Sequence, residues 1–413
     1  MSKRKRQDFE NHHRLINSEE IFTNNFNNNM EEKAKKSVKF QQEEIFSDDV
    51  CFEIISMIDD SWFILNNCCL ISKQFFNVIK ERSKLVIQFN KKFTEKRVEL
   101  CMKSQFMNSI VNLKVSRWLL DSVDQLKFIS EMKQLTSLDI YSNRIGVEGV
   151  KYISEMKQLT SLNISEIEIS DEGAKYISEM KQLTSLYIHN NEIGDEGSKH
   201  ISEMKQLTSL NIGCNEISDE GAKHISEMNQ LISLSIGYNR IGDEGFKYIS
   251  EMKQLTSLDI TDDEIGDEGA KYISEMKQLT SLNIGFNEIG DEGAKYISEL
   301  KQLTSLDISE TEISDEGAKY ISEMKQLIWL TIGYNEISDK GAKYISELKQ
   351  LTSLDITDNK IGNEGAKYIS EMNQLISLNI GYNRIGDEGA KYISEMKQLT
   401  SLRQISLGFY CNN

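Results

Sequence analysis

The chain of 413 residues contains no proline, and its six cysteines show neither a CxxC pair nor even spacing. That cysteine pattern argues against a zinc site and against a disulfide framework. No apolar run approaches the ~20 residues that a membrane helix needs, and the opening MSKRKRQDFE lacks the apolar core of a signal peptide. These absences predict a soluble, intracellular protein of the cytoplasm or the nucleus, with no membrane segment.

Positive charge is in short supply, because 48 lysines and arginines stand against 65 aspartates and glutamates, a formal net charge of −17. A surface of that sign repels phosphate backbones and anionic lipid. Nucleic-acid and membrane partners are therefore disfavoured, and a protein partner of basic character is favoured. Residues 3–6, KRKR, have the composition of a nuclear-import patch, although a short basic run at a terminus is more often solvated tail.

The sequence also lacks the motifs of common catalytic and metal sites. The recurring GDEGAK does not have the spacing of a phosphate-binding loop. His200 and His224 lie one repeat apart with no third ligand in register. The cluster of Asp259, Asp262 and Asp263 departs from the calcium-loop pattern. We therefore predict no catalytic residue, no metal site and no cofactor.

What the sequence has instead is one segment repeated along most of its length. A leucine recurs every 24 residues, at positions 135, 159, 183, 207, 231, 255, 279, 303, 327, 351, 375 and 399. Each unit carries variants of L-x-x-L-x-I-x-x-N-x-I, as in Leu135, Leu138, Ile140, Asn143 and Ile145. This pattern resembles the signature of leucine-rich repeats, and eleven complete units fill residues 135–398.

The resemblance implies an α/β solenoid, the leucine-rich-repeat horseshoe, with parallel strands inside and helices outside. The residues of the unit agree, since the alternation in L-x-x-L-x-I marks a short strand and Asp171 with Glu172 favours a helix start. Strands pack ~4.8 Å apart whereas helices need ~8–10 Å, so such a stack curves with its strands inside. A glycine, as at Gly149 and Gly173, recurs where a side chain would crowd the turn or the neighbouring helix.

The asparagine of the signature, in the family that this pattern resembles, hydrogen-bonds backbone groups of the turn after the strand. It is kept at Asn143, Asn191, Asn215, Asn239, Asn287, Asn335, Asn359 and Asn383. Asp263 and Thr311 replace it with side chains that accept hydrogen bonds, but Ile167 does not. We therefore expect the hydrogen bonding between repeats to be weakest in the second repeat, which contains Ile167.

Residues 46–79 have a dense helical pattern that resembles an F-box. Shared features are a short acidic start, two isoleucines four apart, and ISKQF where the family has V-S-K-x-W/F. The chain departs from the family at its start, where Phe46-Ser47 replaces Leu-Pro and loses the proline that fixes the first helix. The resemblance implies that a Skp-type adaptor, and through it a cullin, is bound by Ile54, Ile58, Ile71 and Phe75. An ordinary helical cap on the solenoid is the alternative.

Variable positions in otherwise similar units mark where partner-binding residues are expected. Variation is concentrated in the strand and just after it, the surface that proteins of this kind usually bind with. One column alternates aromatic and acidic residues and, with Trp329 from a serine column, forms the predicted binding strip: Tyr238, Asp262, Phe286, Glu310, Trp329, Tyr334, Asp358 and Tyr382. Rings ~10 Å apart with carboxylates between them suit lysine or arginine side chains. Packing of Gly-Tyr-Asn over the turn is the alternative, and a second candidate face holds Tyr141, Tyr187 and His189.

We predict four segments, namely a polar tail at 1–43, an F-box-like helical segment at 44–90, a linker with a capping repeat at 91–134, and the leucine-rich-repeat domain at 135–413. By analogy with this architecture, the predicted function is a non-catalytic receptor that brings a protein substrate to a cullin-based ubiquitin ligase. Two alternatives stay open. One is a repeat scaffold without a link to ubiquitin, and the other is a GTPase-activating regulator, for which the sequence has no placed arginine motif.

Overall fold

The computed structural model describes residues 73–82, 84–89, 107–120 and 122–403. The chain divides into two compact units, the first ending at Ile167 and the second beginning at Glu168. Each unit is built from the strand, turn and helix that the repeat pattern predicts. The solenoid of parallel strands and helices is therefore confirmed for the described repeats.

The first unit contains four strands that pair in chain order, all parallel. Its elements are α1 (Lys73–Arg82), β1 (Leu85–Phe89), a short 3₁₀ turn (Met107–Ser109), β2 (Ile110–Val115), α2 (Val123–Ser130), β3 (Ser137–Asp139), α3 (Gly146–Ile153) and β4 (Ser161–Asn163). Strand β1 closes the segment 44–90, which the sequence predicts as helical. Its inward residues, Leu85 and Ile87, are buried.

The second unit contains ten parallel strands that likewise pair in chain order. The strands are β5 (Ser185–Tyr187), β6 (Ser209–Asn211), β7 (Ser233–Ser235), β8 (Ser257–Asp259), β9 (Ser281–Asn283), β10 (Ser305–Asp307), β11 (Trp329–Thr331), β12 (Ser353–Asp355), β13 (Ser377–Asn379) and β14 (Ser401–Arg403). The helices are α4 (Ser170–Ser178), α5 (Asp195–Ser202), α6 (Asp219–Ser226), α7 (Asp243–Ile249), α8 (Asp267–Ile273), α9 (Gly290–Ile297), α10 (Asp315–Ile321), α11 (Asp339–Ile345), α12 (Asn363–Ser370) and α13 (Asp387–Ser394). Register is in phase, since Leu282 of β9 pairs with Leu306 of β10.

The apolar positions of the repeat form the core between strands and helices. In the repeat that begins at Leu279, the side chains of Leu282 and Ile284 are buried, as are Ala294 and Ile297 from the helix. Each buried leucine or isoleucine side chain contributes about 1.5–3 kcal/mol by leaving water. A single repeat lacks a second layer to bury these residues against, so neighbouring repeats supply it.

The asparagine ladder, formed by the asparagines of the signature, joins turns of successive repeats within each unit. Asn287 accepts hydrogen bonds from the backbone N–H groups of Asp263 (3.1 Å) and Ile265 (3.0 Å). Its amide nitrogen donates to the carbonyl oxygens of Ile260 (2.9 Å) and Ile284 (3.0 Å). Where threonine replaces it, the Thr311 hydroxyl instead donates to Ile308 within its own turn (2.8 Å).

An aspartate ladder joins the helix starts in the opposite direction. Asp171 lies in the first turn of α4, yet its carboxylate accepts hydrogen bonds from the N–H groups of Gly194 (2.8 Å) and Gly197 (2.9 Å) at the start of α5. The sequence predicts that this acid favours its own helix, and the structure shows that it also caps the next one. The same arrangement recurs at Asp195, Asp243, Asp291, Asp315, Asp339 and, as an asparagine, Asn363.

The recurring glycine is explained by this cap. A Cβ atom placed on Gly341 would lie 2.6 Å from both Asp315 Oδ1 and Ile337 Cγ2. The predicted crowding is confirmed, because the Ile belongs to the repeat's own turn and the aspartate to the repeat before.

Further hydrogen bonds explain why the stretch MKQLTSL barely varies. Gln254 donates its side-chain amide to the carbonyl oxygen of Met228 in the preceding repeat (3.3 Å). Thr280 donates its hydroxyl to the carbonyl oxygen of Thr256 (3.1 Å). These side chains therefore hold neighbouring repeats together.

Candidate functional site

The aromatic members of the binding strip lie where the sequence predicts, in the turn directly after a strand. Tyr238, Phe286, Tyr334 and Tyr382 are 47, 46, 52 and 54% exposed. Trp329 begins strand β11 and is 37% exposed. Rings of this size are usually more completely covered, so the second unit presents a row of accessible aromatic surface.

These exposed residues share an unusual backbone conformation. Every residue in this turn position from Tyr238 to Tyr382 has a left-handed backbone, with φ between 49° and 59°. The N–H groups of Phe286 and Tyr334 donate to carbonyl oxygens in the next turn, Ser309 (2.8 Å) and Thr357 (2.8 Å), so the ladder between repeats continues past the strand. A non-glycine residue in this conformation costs about 1–2 kcal/mol. Bulky rings therefore occupy positions where glycine would have a lower conformational energy.

The glycine before each aromatic residue has a packing role. A Cβ on Gly237 would lie 2.6 Å from backbone atoms of Thr261, and one on Gly333 would lie 3.0 Å from the Thr357 carbonyl oxygen. The repeats between carry threonine or serine at that position. Packing between turns therefore explains why glycine recurs in every second repeat. It does not explain why a half-exposed ring follows each of these glycines.

Carboxylates fill the repeats between the aromatic ones, in two columns. The turn column holds Asp262, Glu310 and Asp358, all exposed, and the strand column holds Asp259, Asp307 and Asp355, all half-buried. No lysine or arginine among the described residues forms an ion pair with any of these six. In the first unit, by contrast, the strand-column residue Asp139 pairs with Lys114 at 2.8 Å. The six acids of the second unit therefore carry negative charge that no described lysine or arginine balances in an ion pair.

Burial is the main cause of the two raised pKa values on this face, those of Asp307 and Tyr238. Burial raises the pKa of Asp307 above its ordinary value, and the charges of Asp355 and Asp259 act in the same direction, against hydrogen bonds from Ser309. Burial also raises the pKa of Tyr238, and the negative charge of Asp262 adds to it. Tyr238 therefore lies within electrostatic range of Asp262, the acid of the next repeat.

Asp263 is a second kind of acid, buried in the asparagine ladder. It accepts a hydrogen bond from the N–H of Asn239 (2.8 Å), while its other oxygen is buried without a hydrogen-bond partner. Burial raises the pKa of Asp263 to about 8. Its carboxyl group therefore serves the turn and is not part of the exposed acidic columns.

Exposed isoleucines at the other end of the strand were missed by the sequence analysis. Ile232, Ile328 and Ile376 are 44, 45 and 49% exposed. Each occupies a column that otherwise holds threonine, and each belongs to a repeat that also carries a tyrosine of the binding strip. The substitution of isoleucine for threonine was visible in the repeats and could have identified these residues.

The remaining predicted residues fall outside the strip or outside the described part of the chain. Ile54, Ile58 and Ile71 lie outside the described residues, as does the side chain of Phe75. In the first unit, Arg117 stacks over the ring of Tyr141 at 4.3 Å. In the second unit, Tyr187 is 39% exposed.

The described residues also bear on metal binding and on membrane insertion. Within them, no group of three or more histidine, cysteine, aspartate or glutamate side chains is placed to hold a metal ion. His224 lies 3.9 Å from Glu220 of its own helix. None of the described helices combines the length and apolar character that a membrane span requires.

Comparisons with known proteins agree with this geometry. Two sequence profiles for leucine-rich repeats match, one over residues 181–241 and 301–361 and the other over residues 133–154, 157–178, 253–274, 277–298 and 373–394. The chain belongs to the leucine-rich-repeat family. No match to this chain was found among curated proteins.

Solved structures provide a likeness of fold. An internalin (inlF) of Listeria monocytogenes is 23% identical, with a TM-score of 0.56, covering 86% of this chain and 94% of its own. A leucine-rich-repeat protein of Leptospira interrogans is 19% identical, with a TM-score of 0.42, covering 78% of this chain and 96% of its own. At such identities the likeness concerns the repeat fold alone.

Proposed function

We propose that this chain is a non-catalytic, intracellular receptor that holds a basic protein substrate on the exposed strand face of its second unit. We further propose that the F-box-like segment 44–90 binds a Skp-type adaptor and thereby brings the substrate to a cullin-based ubiquitin ligase. The adaptor part rests on the resemblance of the sequence to F-box proteins and, in particular, on ISKQF at residues 71–75.

One observation carries the substrate part, namely the row of half-exposed rings that alternates with unpaired carboxylates. An aromatic ring attracts a cation through its face, and a carboxylate strengthens hydrogen bonds from lysine or arginine. Aromatic anchors contribute most of the energy of many interfaces. The face therefore supplies both apolar contact and charge selection for a cationic protein surface.

Affinity capture with mass spectrometry tests both parts, using the whole chain and two variants. The acid variant carries Asp262→Asn, Glu310→Gln and Asp358→Asn, and the adaptor variant carries Ile71→Asp and Phe75→Ala. We expect the acid variant to lose the substrate but keep the adaptor and cullin, and the adaptor variant to do the reverse, because a charge buried in an apolar contact is costly.

Equal recovery of a Skp-type adaptor from the adaptor variant would remove the link to ubiquitin and leave a repeat scaffold. Loss of the circular-dichroism signal in that variant would instead identify the segment as a helical cap. Equal recovery of substrate from the acid variant would move the binding face elsewhere. Surface plasmon resonance at low and high salt separates the roles, because the acids should set the association rate and the rings the dissociation rate.

A further inference from the structure

The exposed strand face of residues 231–398 has a period of two repeats. Repeats with Tyr238, Phe286, Tyr334 and Tyr382 alternate with repeats that carry the strand-column and turn-column acids. Strands β7 to β13 are hydrogen-bonded neighbours in register. Neighbouring strands lie about 4.8 Å apart, so acidic stripes recur about every 9.6 Å.

That spacing discriminates between the conformations of a bound chain. A polyproline II segment rises 3.1 Å per residue with three residues per turn, so every third side chain lies on one face, about 9.3 Å from the last. An α-helix advances about 5.4 Å per turn, so two turns are longer than one stripe spacing. Across six strand intervals the helix falls about 4 Å out of step with the stripes. The polyproline II segment drifts by about 1 Å over the same length. A β-strand turns every third side chain to the opposite face.

We propose that this face binds a polyproline II segment with lysine or arginine at every third position, lying across strands β7 to β13. The proposal rests on the proposed receptor function and specifies the chemistry of its substrate. Each cationic side chain meets a stripe such as Asp307 with Glu310, and its stem crosses the aromatic stripe beside it. Three stripes, at Asp262, Glu310 and Asp358, make the site multivalent, so a match in period multiplies weak contacts.

Fluorescence anisotropy with three labelled peptides tests the period. The first is arginine-proline-serine in four copies. The second has the same residues with the arginines placed in adjacent pairs, and the third is an alanine-rich helix with an arginine at every seventh position. We expect the first to bind the whole chain about tenfold more tightly than either of the others. Equal binding by the first two, or tightest binding by the helix, would overturn the proposal.

Two deletions of one repeat each form a matched pair. Removing residues 231–254 takes away the terminal aromatic repeat and leaves the acidic stripes evenly spaced. Removing residues 279–302 takes away the internal aromatic repeat with Phe286 and brings the stripes of Asp262 and Glu310 together. We expect the preference for the first peptide to survive the first deletion and to vanish after the second. The same preference after both deletions would contradict the model of evenly spaced stripes.

Thermal melting by circular dichroism shows whether both shortened chains fold. If the second does not, Glu310→Gln replaces it, since loss of the middle carboxylate should weaken the first peptide several-fold and the paired-arginine peptide less. Equal weakening would count against the period. Failure of this inference is distinct from failure of the receptor function. If the captured substrate still depends on the acids while all peptides bind alike, the receptor stands and its periodic ligand does not.

Discussion

Asp263 occupies a position that asparagine fills in most repeats, and its buried carboxyl group makes stability depend on pH. The folded protein raises the pKa of Asp263 from 3.8 to about 8. Between these values the folded state holds a proton that the unfolded chain releases. Stability from this group is therefore fully present below about pH 4 and is lost as the pH rises through about 8.

We expect Asp263→Asn to stabilise the protein at pH 9 by on the order of a few kcal/mol, since each pKa unit corresponds to about 1.4 kcal/mol. At pH 4 the two proteins should differ little, because protonated aspartate and asparagine are nearly isosteric. Urea denaturation at both pH values gives the difference, and Glu264→Gln, at an exposed neighbour, is the matched control. A parent and variant that differ equally at both pH values would show that Asp263 does not titrate in this range.

The left-handed backbone of Tyr334 predicts an inverted order of two substitutions. Glycine relieves the strain of φ 55°, whereas alanine keeps it. We expect Tyr334→Gly to be more stable than Tyr334→Ala by about 0.5–1 kcal/mol, the strain less the entropy of glycine in the unfolded chain. Both should bind the proposed basic partner equally weakly, because both lack the ring.

Ser353, in strand β12, provides the control for that comparison. Its φ is not positive, so alanine should be more stable than glycine there. If alanine were the more stable substitution at both positions, the turn would carry no strain.

Spacing in the sequence predicted which residues of a repeat are inside and outside, but not which repeat a polar side chain reaches. The buried leucines and the exposed rings follow directly from the period. The partner of Asp171, in contrast, is the N–H of Gly194 in the next repeat, and the N–H of Tyr334 donates to the carbonyl oxygen of Thr357, also in the next repeat. Such contacts arise from the stacking geometry, which no single repeat contains.

Helix α11 illustrates the cost of filling the space beneath the aspartate ladder. Alanine normally stabilises a helix by about 1 kcal/mol relative to glycine. At Gly341, however, a Cβ would displace Asp315 or Ile337. We expect Gly341→Ala to destabilise the protein by about 1–3 kcal/mol, the usual penalty of overpacking. Denaturant unfolding followed by far-ultraviolet circular dichroism measures it.

Gly242, which precedes α7, is the matched control, because a Cβ there meets nothing within 4 Å. Serine occupies the equivalent position before α6 and accepts a hydrogen bond from Glu220. Gly242→Ser should therefore be neutral or stabilising by a few tenths of a kcal/mol. If Gly341→Ala were equally harmless, the aspartate ladder would have room that the structure does not show.

The whole array should tolerate loss of complete repeats but not of partial ones. Deleting residues 231–278 removes two repeats and joins Gln230 to Leu279, so strand again follows helix in register. We expect a cooperative melt, because each repeat contacts only its neighbours. Deleting residues 231–242 alone places a helix where a strand should pair.

We expect that shorter deletion to abolish cooperative melting, as followed by circular dichroism on heating. Similar melting of the two shortened chains would show that the register between repeats does not hold the array together. The longer deletion also keeps the alternation of aromatic and acidic repeats, so it shortens the proposed binding face without changing its pattern.

The asparagine and aspartate ladders run in opposite directions, so the hydrogen bonds between repeats can form only in a fixed order during synthesis. During synthesis the amino-terminal repeats leave the ribosome first. When a helix of the second unit forms, the carboxylate that caps it is already present in the preceding repeat, as Asp171 is for α5. The turn of the same repeat is completed later, because the asparagine that accepts its N–H groups lies in the next repeat. The N–H of Asp263, for example, has its acceptor only once Asn287 has been made. The newest repeat is therefore always finished at its helix and open at its turn.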